Sequence, residues 1–313
     1  MCCLFGLMDT RLVFTGKEKS RMLHALASAS EARGTDAAGI AYHADGQLCI
    51  YKRPSPGHKL KFRMRDDTRT GMGHARMTTQ GRASKNRNNH PFRGYVQGGS
   101  FALAHNGVLY NDRTLRHGLG LPGTRIETDS YIAVQLIEKK KALHFDSLRY
   151  MAERVEGSFT FTVLDREDNL YIVKGDNPFC LYHFPESGLY LYASTEEILR
   201  RAMERMSPGL GRHISVPIRS GEILKLCVDG QMQKETFDDS HLYRYSCGAL
   251  FGYGFGRGGA HRCTEKSEHS HLEEIKSVAM AFGFTPEDID HLAEQGFTAE
   301  ELEEVLYSYG GEI

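Results

Sequence analysis

The sequence predicts an α+β protein in which sheets pack against each other with helices outside, and three observations carry that prediction. Strand-like segments occur near the start and again after residue 157, helical patterns fall between them, and the regular strand–helix alternation of a parallel sheet is missing. Residues 2–8, CCLFGLM, read as a short buried strand. A helix follows over about 17–32, with Met22, Leu26 and Ala29 on one face and Gly34 suited to a left-handed stop. Further strands are expected at 39–42, 47–52, 71–76 and 101–108, then helices at 129–140 and 145–155. The runs FTFTVLD, NLYIVK, GLYLYAS and GEILKL return to strand, interrupted by a helix over 196–206.

At 313 residues the chain is long enough for one large domain and a small appendage. Seven cysteines without regular spacing argue against a secreted disulfide framework. No signal-peptide pattern opens the sequence and no apolar run approaches the length of a bilayer, so the expectation is a cytoplasmic protein with no membrane partner. The net charge of −1 hides an asymmetry: residues 265–313 carry 13 acidic and 2 basic side chains, and the preceding part is correspondingly basic.

Residues 237–271 are rich in Gly, Ser, His and charge and read as a linker. Gly254, Gly256 and Gly259 fit G-x-G-x-x-G, but without the strand–turn–helix setting a dinucleotide site needs, so no cofactor is expected. Cys247, Cys263, His261, His269 and His271 match no zinc spacing, and no metal is expected. Arg257 and Arg262 among aromatics are a weak signal for RNA, and nucleic acid is not expected as a partner. Beyond the linker, 272–313 reads as an acidic three-helix module: Leu272, Ile275, Ala279 and Phe282 form one face, Thr285, Pro286 and Asp288 open a second helix, and Thr298 with Glu301 caps a third.

The chemistry concentrates in the first 130 residues, in RGTDAAGIA (33–41), GMGHARMTTQG (71–81), HNGVLYN (105–111) and TDS (128–130). Removal of Met1 would leave Cys2 with a thiol and a free α-amine on one residue. That amine has an ordinary pKa of about 7.7–8.0, so it can act as a base for its own nucleophile. The Asn106 side-chain amide and the Gly107 backbone N–H are suited to a developing oxyanion. Arg76 can grip a carboxylate through its planar fork, and Asp129 can accept bonds from an ammonium group. Together they describe a pocket for an α-amino acid whose side-chain carbonyl is attacked by a thiolate, which points to glutamine. His74 and His105 are read as structural hydrogen-bonders.

The order Cys2, RGxDxxG, GHxR, NNHPF (88–92), HNG and TDS resembles the glutaminase domain of class II glutamine amidotransferases, which are N-terminal-nucleophile hydrolases. The resemblance covers roughly residues 2–230 and implies a four-layer αββα sandwich. It implies Cys2 as nucleophile through a glutamyl thioester, Asn106 and Gly107 as oxyanion hole, and Arg76 and Asp129 on the substrate's carboxylate and amino groups. Arg33 would order the N-terminus, and Thr79 and Gly81 would lie on the loop that closes over glutamine. Three positions depart from the family pattern: Cys3 for a glycine, Met77 for an aromatic, and Gln80 for a frequent histidine.

The resulting organisation is a glutaminase domain at 2–236, the linker at 237–271 and the helical module at 272–313. The expected activity is glutamine hydrolysis to glutamate and ammonia by a stand-alone glutaminase component, delivering ammonia to a separate synthase or protein partner through the acidic module. The basic run Lys61, Arg63, Arg65, Arg69, Arg82, Lys85, Arg87 and Arg93 flanks the substrate loop and is a second surface that could receive that module or a partner. Two alternatives stay open on these residues. One is a hydrolase of γ-glutamyl amides or peptides on the same fold; the other is a non-catalytic binding or regulatory protein that keeps Met1.

Overall fold

In the computed structural model the described residues are 2–206, 210–242, 275–276, 285–295, 297 and 302. The chain divides into two compact units, 1–245 and 246–313.

The first unit is built on two antiparallel sheets. One contains β1 (Cys3–Asp9), β2 (Ala37–Ala44), β3 (Gln47–Arg53), β4 (Thr70–Arg76), β9 (Cys180–Phe184), β10 (Leu189–Ala193) and β11 (Ile214–Ser215), in the order β11-β9-β10-β1-β4-β2-β3. The other contains β5 (Phe92–Val96), β6 (Gly99–Leu109), β7 (Gly157–Leu164), β8 (Leu170–Lys174), β12 (Glu222–Leu226) and β13 (Met232–Thr236), in the order β13-β12-β8-β7-β6-β5. Helices α1 (Gly16–Ala29) and α5 (Glu196–Glu204) cover the first sheet, and α3 (Tyr131–Lys139) and α4 (Phe145–Ala152) cover the second; the short α2 (Asp112–Gly118) precedes α3. The result is the αββα sandwich.

Side-chain alternation along each strand sorts the core into three layers. Cys3, Phe5 and Leu7 point outward from β1 and pack with Met22, Leu23 and Leu26 of α1 and Ile198 and Leu199 of α5. Leu4 and Met8 point inward, where they meet Ala102, Ala104, Leu164, Ile172 and Leu224 of the second sheet. Phe101, Leu103, Phe159, Phe161 and Val163 leave the second sheet on its far side and pack with Ile132, Leu136, Leu148 and Met151 of the covering helices. Each fully buried Leu or Phe contributes about 1.5–3 kcal/mol of apolar burial, so the register that keeps these residues inward is strongly held.

Local signals fix the helix ends. Thr15 caps α1, its Oγ1 accepting from the Glu18 N–H at 3.3 Å while Glu18 Oε2 accepts from the Thr15 N–H at 2.8 Å. The helix stops at Ala29 and tightens into a 3₁₀ turn over Ser30–Ala32, so Gly34 is not its left-handed stop. Gly34 serves a close approach instead: a Cβ there would lie 2.4 Å from the Arg76 carbonyl carbon and 2.6 Å from the Met77 nitrogen.

The strands β5, β9, β11 and β13 and the helix α2 are not among the elements the sequence pattern suggests. Each is short or at a sheet edge, where alternation is weak. Phe237 and Leu242, at the start of the expected linker, are buried with the helix-side core of the second sheet, and the Phe237 ring stacks on Phe159 at 6.0 Å between centroids.

In the second unit, α6 (Pro286–Glu294) begins at a capping box formed by Thr285 and Asp288, with Pro286 in its first turn. Ile275, Ile289 and Leu302 form a small buried cluster there, and Lys276 pairs with Asp290 at 2.6 Å. The glycine motif, the Cys/His group, and the Thr298–Glu301 cap lie outside the described residues. Among the described residues, no helix is long and apolar enough to cross a membrane.

Candidate active site

The register of the sheets brings the sequence-predicted residues to one end of the sandwich. Cys3 pairs with Ala75 and Leu4 with His74, so Cys2 falls beside Arg76. Alternation puts Cys2 on the inward face with Leu4, whereas Cys3 turns to the helix layer, where its thiol meets Ser30 Oγ at 3.3 Å. On the other sheet Asn106 pairs with Thr160 and shares the inward face with Ala104. The two sheets are tied here by His74 Nε2, which donates to the His105 carbonyl at 2.9 Å.

Cys2 is half-buried, its Sγ is 3.4 Å from the Met77 carbonyl, and its carbonyl accepts from Arg33 Nε at 3.2 Å. The turn carrying Arg33 reaches Cys2 because Gly34 lets it lie flat against the end of β4. Burial pushes the Cys2 thiol up from its ordinary value, opposed by the Met77 contact and the positive charge of Arg76, while the negative charge of Asp129 adds to the rise. Arg76 and Asp129 are therefore both electrostatic neighbours of the thiol.

Arg76 is buried and already engaged. Its Nη1 donates to Asn89 Oδ1 at 2.6 Å, and its Nη2 donates to the carbonyls of Gln80 and Gly81 at 2.5 and 3.0 Å. A guanidinium has five N–H donors, so two remain for a ligand. Asn89 is a site residue that the sequence reading did not single out, although it lies in NNHPF. Its own Nδ2 donates to the Ala83 carbonyl at 2.8 Å, and its carbonyl accepts from Lys52 Nζ at 2.5 Å. Burial pushes the Lys52 ammonium down to about 8.

Asp129 precedes α3 and is buried. Its Oδ2 accepts from the Leu109 N–H at 2.6 Å, its Oδ1 from Ser130 Oγ at 3.3 Å, and its N–H donates to Gln80 Oε1 at 3.0 Å. Ser130 Oγ in turn lies 2.8 Å from His105 Nδ1. Burial pushes His105 down to about 4 and His74 to about 3, and it holds His90 well below the usual range, so all three are neutral imidazoles near pH 7. A neutral His105 ring has one proton: on Nδ1 it donates to Ser130, whose O–H then donates to Asp129; on Nε2 it donates to the Ser158 carbonyl at 3.4 Å, and the Ser130 O–H then turns to Nδ1.

Asn106 is 1 % exposed, and neither its Nδ2 nor its Oδ1 has a partner among the described residues. An unpaired buried amide costs stability, so its retention is itself informative. Gly107 has φ +137°, and a Cβ there would lie 2.0 Å from the Ser158 carbonyl oxygen. Glycine is needed for the backbone as well as for any ligand. Thr79 is exposed on the 77–81 loop, apart from the buried group, and Gly81 takes φ +75° at the loop's end. Among the described residues, no cluster of His, Cys, Asp and Glu has the geometry to hold a metal.

The site and the fold define a class before any comparison is made: an αββα protein with a cysteine at the start of an inner strand, beside an arginine and a carboxylate. Comparison with known proteins agrees with that class. Residues 74–201 match a glutamine amidotransferase domain. A glutamine–fructose-6-phosphate aminotransferase (isomerizing) from Streptococcus agalactiae is 30 % identical over 201 residues, 57 % of this chain and 30 % of that protein. The enzyme of the same name from Halobacterium salinarum is 28 % identical over 188 residues, covering 58 % and 30 %. The chain thus spans about a third of the length of these relatives. The solved glutamine phosphoribosylpyrophosphate amidotransferase from Bacillus subtilis shares the fold, with a TM-score of 0.59 at 21 % identity over 76 % of this chain and 49 % of that one. Over residues 74–201 this chain therefore resembles a glutamine amidotransferase domain, and over 76 % of its length it shares the fold of a solved amidotransferase.

Proposed function

We propose that the 1–245 unit hydrolyses glutamine to glutamate and ammonia, with Cys2 as the nucleophile once Met1 is removed. The observation that carries the reading is the Asn106 amide: buried, unpartnered and on the inward face that Cys2 shares. A protein that used this position only for packing would gain stability by replacing the amide with an apolar group.

In the proposed reaction the neutral α-amine of Cys2 takes the thiol proton, directly or through a water, and the thiolate attacks the side-chain carbonyl of glutamine. An ordinary thiol is mostly protonated at neutral pH, so the freed amine supplies the base that forms the thiolate. The oxyanion would receive N–H bonds from Asn106 Nδ2 and the Gly107 backbone. The protonated amine then passes its proton to the departing nitrogen, which leaves as ammonia, and a glutamyl thioester remains on Cys2. Water, deprotonated by the same amine, adds to the thioester, and glutamate leaves as the thiol is restored. Arg76, through its two remaining donors, and Asp129, through its open lone pairs, would hold the α-carboxylate and α-ammonium of the substrate. Arg33 would fix the new chain end through the Cys2 carbonyl, with Thr79 and Gly81 on the covering loop.

The ammonia acceptor is proposed to belong to a separate synthase partner, with the 272–313 module as its docking element and a linker that begins only after Leu242, since Phe237 and Leu242 are part of the core. The test of the glutaminase reading is reaction of the processed protein with 6-diazo-5-oxo-norleucine, followed by peptide mapping and an intact mass. The expected result is loss of Met1 and one label on Cys2, with glutamine protecting. A label on Cys3, no label, or a retained Met1 in the native host would overturn it. Faster turnover of γ-glutamyl dipeptides than of glutamine would move the substrate to γ-glutamyl compounds.

A further inference from the structure

The 77–81 loop contains one residue that touches both groups expected to hold the substrate's α-end. The carbonyl oxygen of Gln80 accepts from Arg76 Nη2 at 2.5 Å, and its side-chain Oε1 accepts from the Asp129 N–H at 3.0 Å. Arg76 ends a strand of one sheet, and Asp129 sits between the second sheet and its covering helix, so no regular hydrogen-bond ladder fixes their separation. Gln80 supplies that link. A free α-amino acid carries its carboxylate and ammonium on the same carbon, so a site that recognises both needs its cation and its carboxylate at one fixed spacing.

We propose that Gln80 is a positioning residue that sets the spacing of Arg76 and Asp129 and thereby makes the site selective for the free α-amino-acid end of glutamine. The proposal rests on the glutaminase reading and deepens it. Two further ties run behind the holders: Asn88 donates from Nδ2 to Glu127 Oε2 and accepts from the Glu127 N–H, each at 3.0 Å, and His74 donates to the His105 carbonyl, but neither touches Arg76 or Asp129 directly. Arg76 is braced by Asn89, and Asp129 is braced by Leu109 N–H at 2.6 Å and by the Ser130–His105 pair. Removing the Gln80 side chain therefore leaves each holder braced and takes away only the link that joins the two holders directly. Gln80 also lines a cavity of about 230 Å³ together with Asp112, Arg113, Arg116, Glu127 and Thr128. With a short side chain at 80, water from this polar cavity reaches the Asp129 backbone N–H and takes the place of Oε1, which satisfies the donor without holding the loop.

The chemistry gives a test that a general structural role does not pass. Glutaramate keeps the carboxylate and the amide but lacks the α-amine, and 4-aminobutanamide keeps the ammonium but lacks the carboxylate. Each engages one holder, so neither depends on the spacing. In the full-length processed protein, Gln80→Ala is expected to raise KM for glutamine about two- to tenfold, the factor carried by a single neutral hydrogen bond, with kcat changed less than twofold. Its kcat/KM for glutaramate and 4-aminobutanamide is expected to change less than twofold, so the preference for glutamine falls by the full factor. Gln80→Glu retains an acceptor oxygen for the Asp129 N–H and is expected to restore at least half of the lost preference.

An equal loss on all three substrates, or an unchanged preference, overturns the proposal. If the wild-type protein releases no ammonia from glutamine, the glutaminase reading fails on its own. The spacing role is then read by calorimetric binding of glutamine and glutaramate to Cys2→Ala with and without Gln80→Ala. A selectivity that does not change on adding Gln80→Ala overturns it there as well.

Discussion

Replacing Asn106 by leucine separates stability from catalysis, because the two are expected to move in opposite directions. The Asn106 side chain is 1 % exposed and both of its polar atoms lack a partner among the described residues. A buried polar group without its hydrogen bond costs about 1–3 kcal/mol. Leucine has nearly the same size and faces the layer that already contains Ala104, Leu164 and Ile172. The substitution is therefore expected to stabilise the 1–245 unit by about 1–3 kcal/mol. For a body of that size each kcal/mol moves the melting temperature by about 2–4 °C, so a rise of about 2–12 °C follows. Loss of the amide donor should meanwhile reduce kcat about 10²–10³-fold, equivalent to about 2.7–4 kcal/mol of transition-state stabilisation. Calorimetry at pH 7.5 and an enzyme-coupled ammonia assay read the two effects on the same preparation. A variant that melts below the wild type by more than about 1 kcal/mol refutes the unpaired-amide argument. A kcat within tenfold of the wild type refutes the oxyanion role.

Three further outcomes are expected. Cys2→Ala should abolish glutamine turnover and keep the fold, whereas Cys3→Ala, deep in the helix-side core, should cost about 1 kcal/mol of stability and leave the kinetics alone, as read by melting and ammonia release. Gly107→Ala should destabilise by about 3 kcal/mol or more, since it combines φ +137° with a Cβ 2.0 Å from the Ser158 oxygen; the yield and melting of the purified variant check this. Stability should also fall in mild acid. His74 and His105 titrate at about 3 and about 4 in the fold against about 6.5 in the unfolded chain, and His90 is likewise depressed. Below pH 6.5 the unfolded chain takes protons that the native state refuses. Stability is therefore lost as pH falls from about 6.5 until the native rings titrate, at about 1.4 kcal/mol per pH unit for each fully engaged histidine. Equal melting temperatures at pH 7.5 and 5.0 would contradict this, and His105→Gln should lower the pH slope by one histidine's share.

The sequence by itself determined the class of fold and picked out most of the residues that the fold then brings together. Period-two and helical patterns mark long buried segments, and a cysteine at position 2, an HNG segment and a TDS helix start are local features with local reasons. Alternation alone separates Cys2 from Cys3, because adjacent residues on a strand face opposite layers. The strands β5, β9, β11 and β13 and the helix α2 were not legible, since short segments and segments with one exposed face leave little pattern.

What only the tertiary structure decided is how distant segments meet. Gly34 reads in the chain as a helix stop, but its need for glycine comes from β4, more than forty residues later in sequence and reached only after folding. Asn89 and Gln80 look like ordinary loop residues until Arg76 and Asp129 are placed against them. His105 and Ser130 likewise become a pair that braces a carboxylate only when strand β6 lies under the start of α3. A residue's type and its neighbours in sequence state which bonds it can make; which of those bonds it does make depends on long-range register, and no local pattern encodes that.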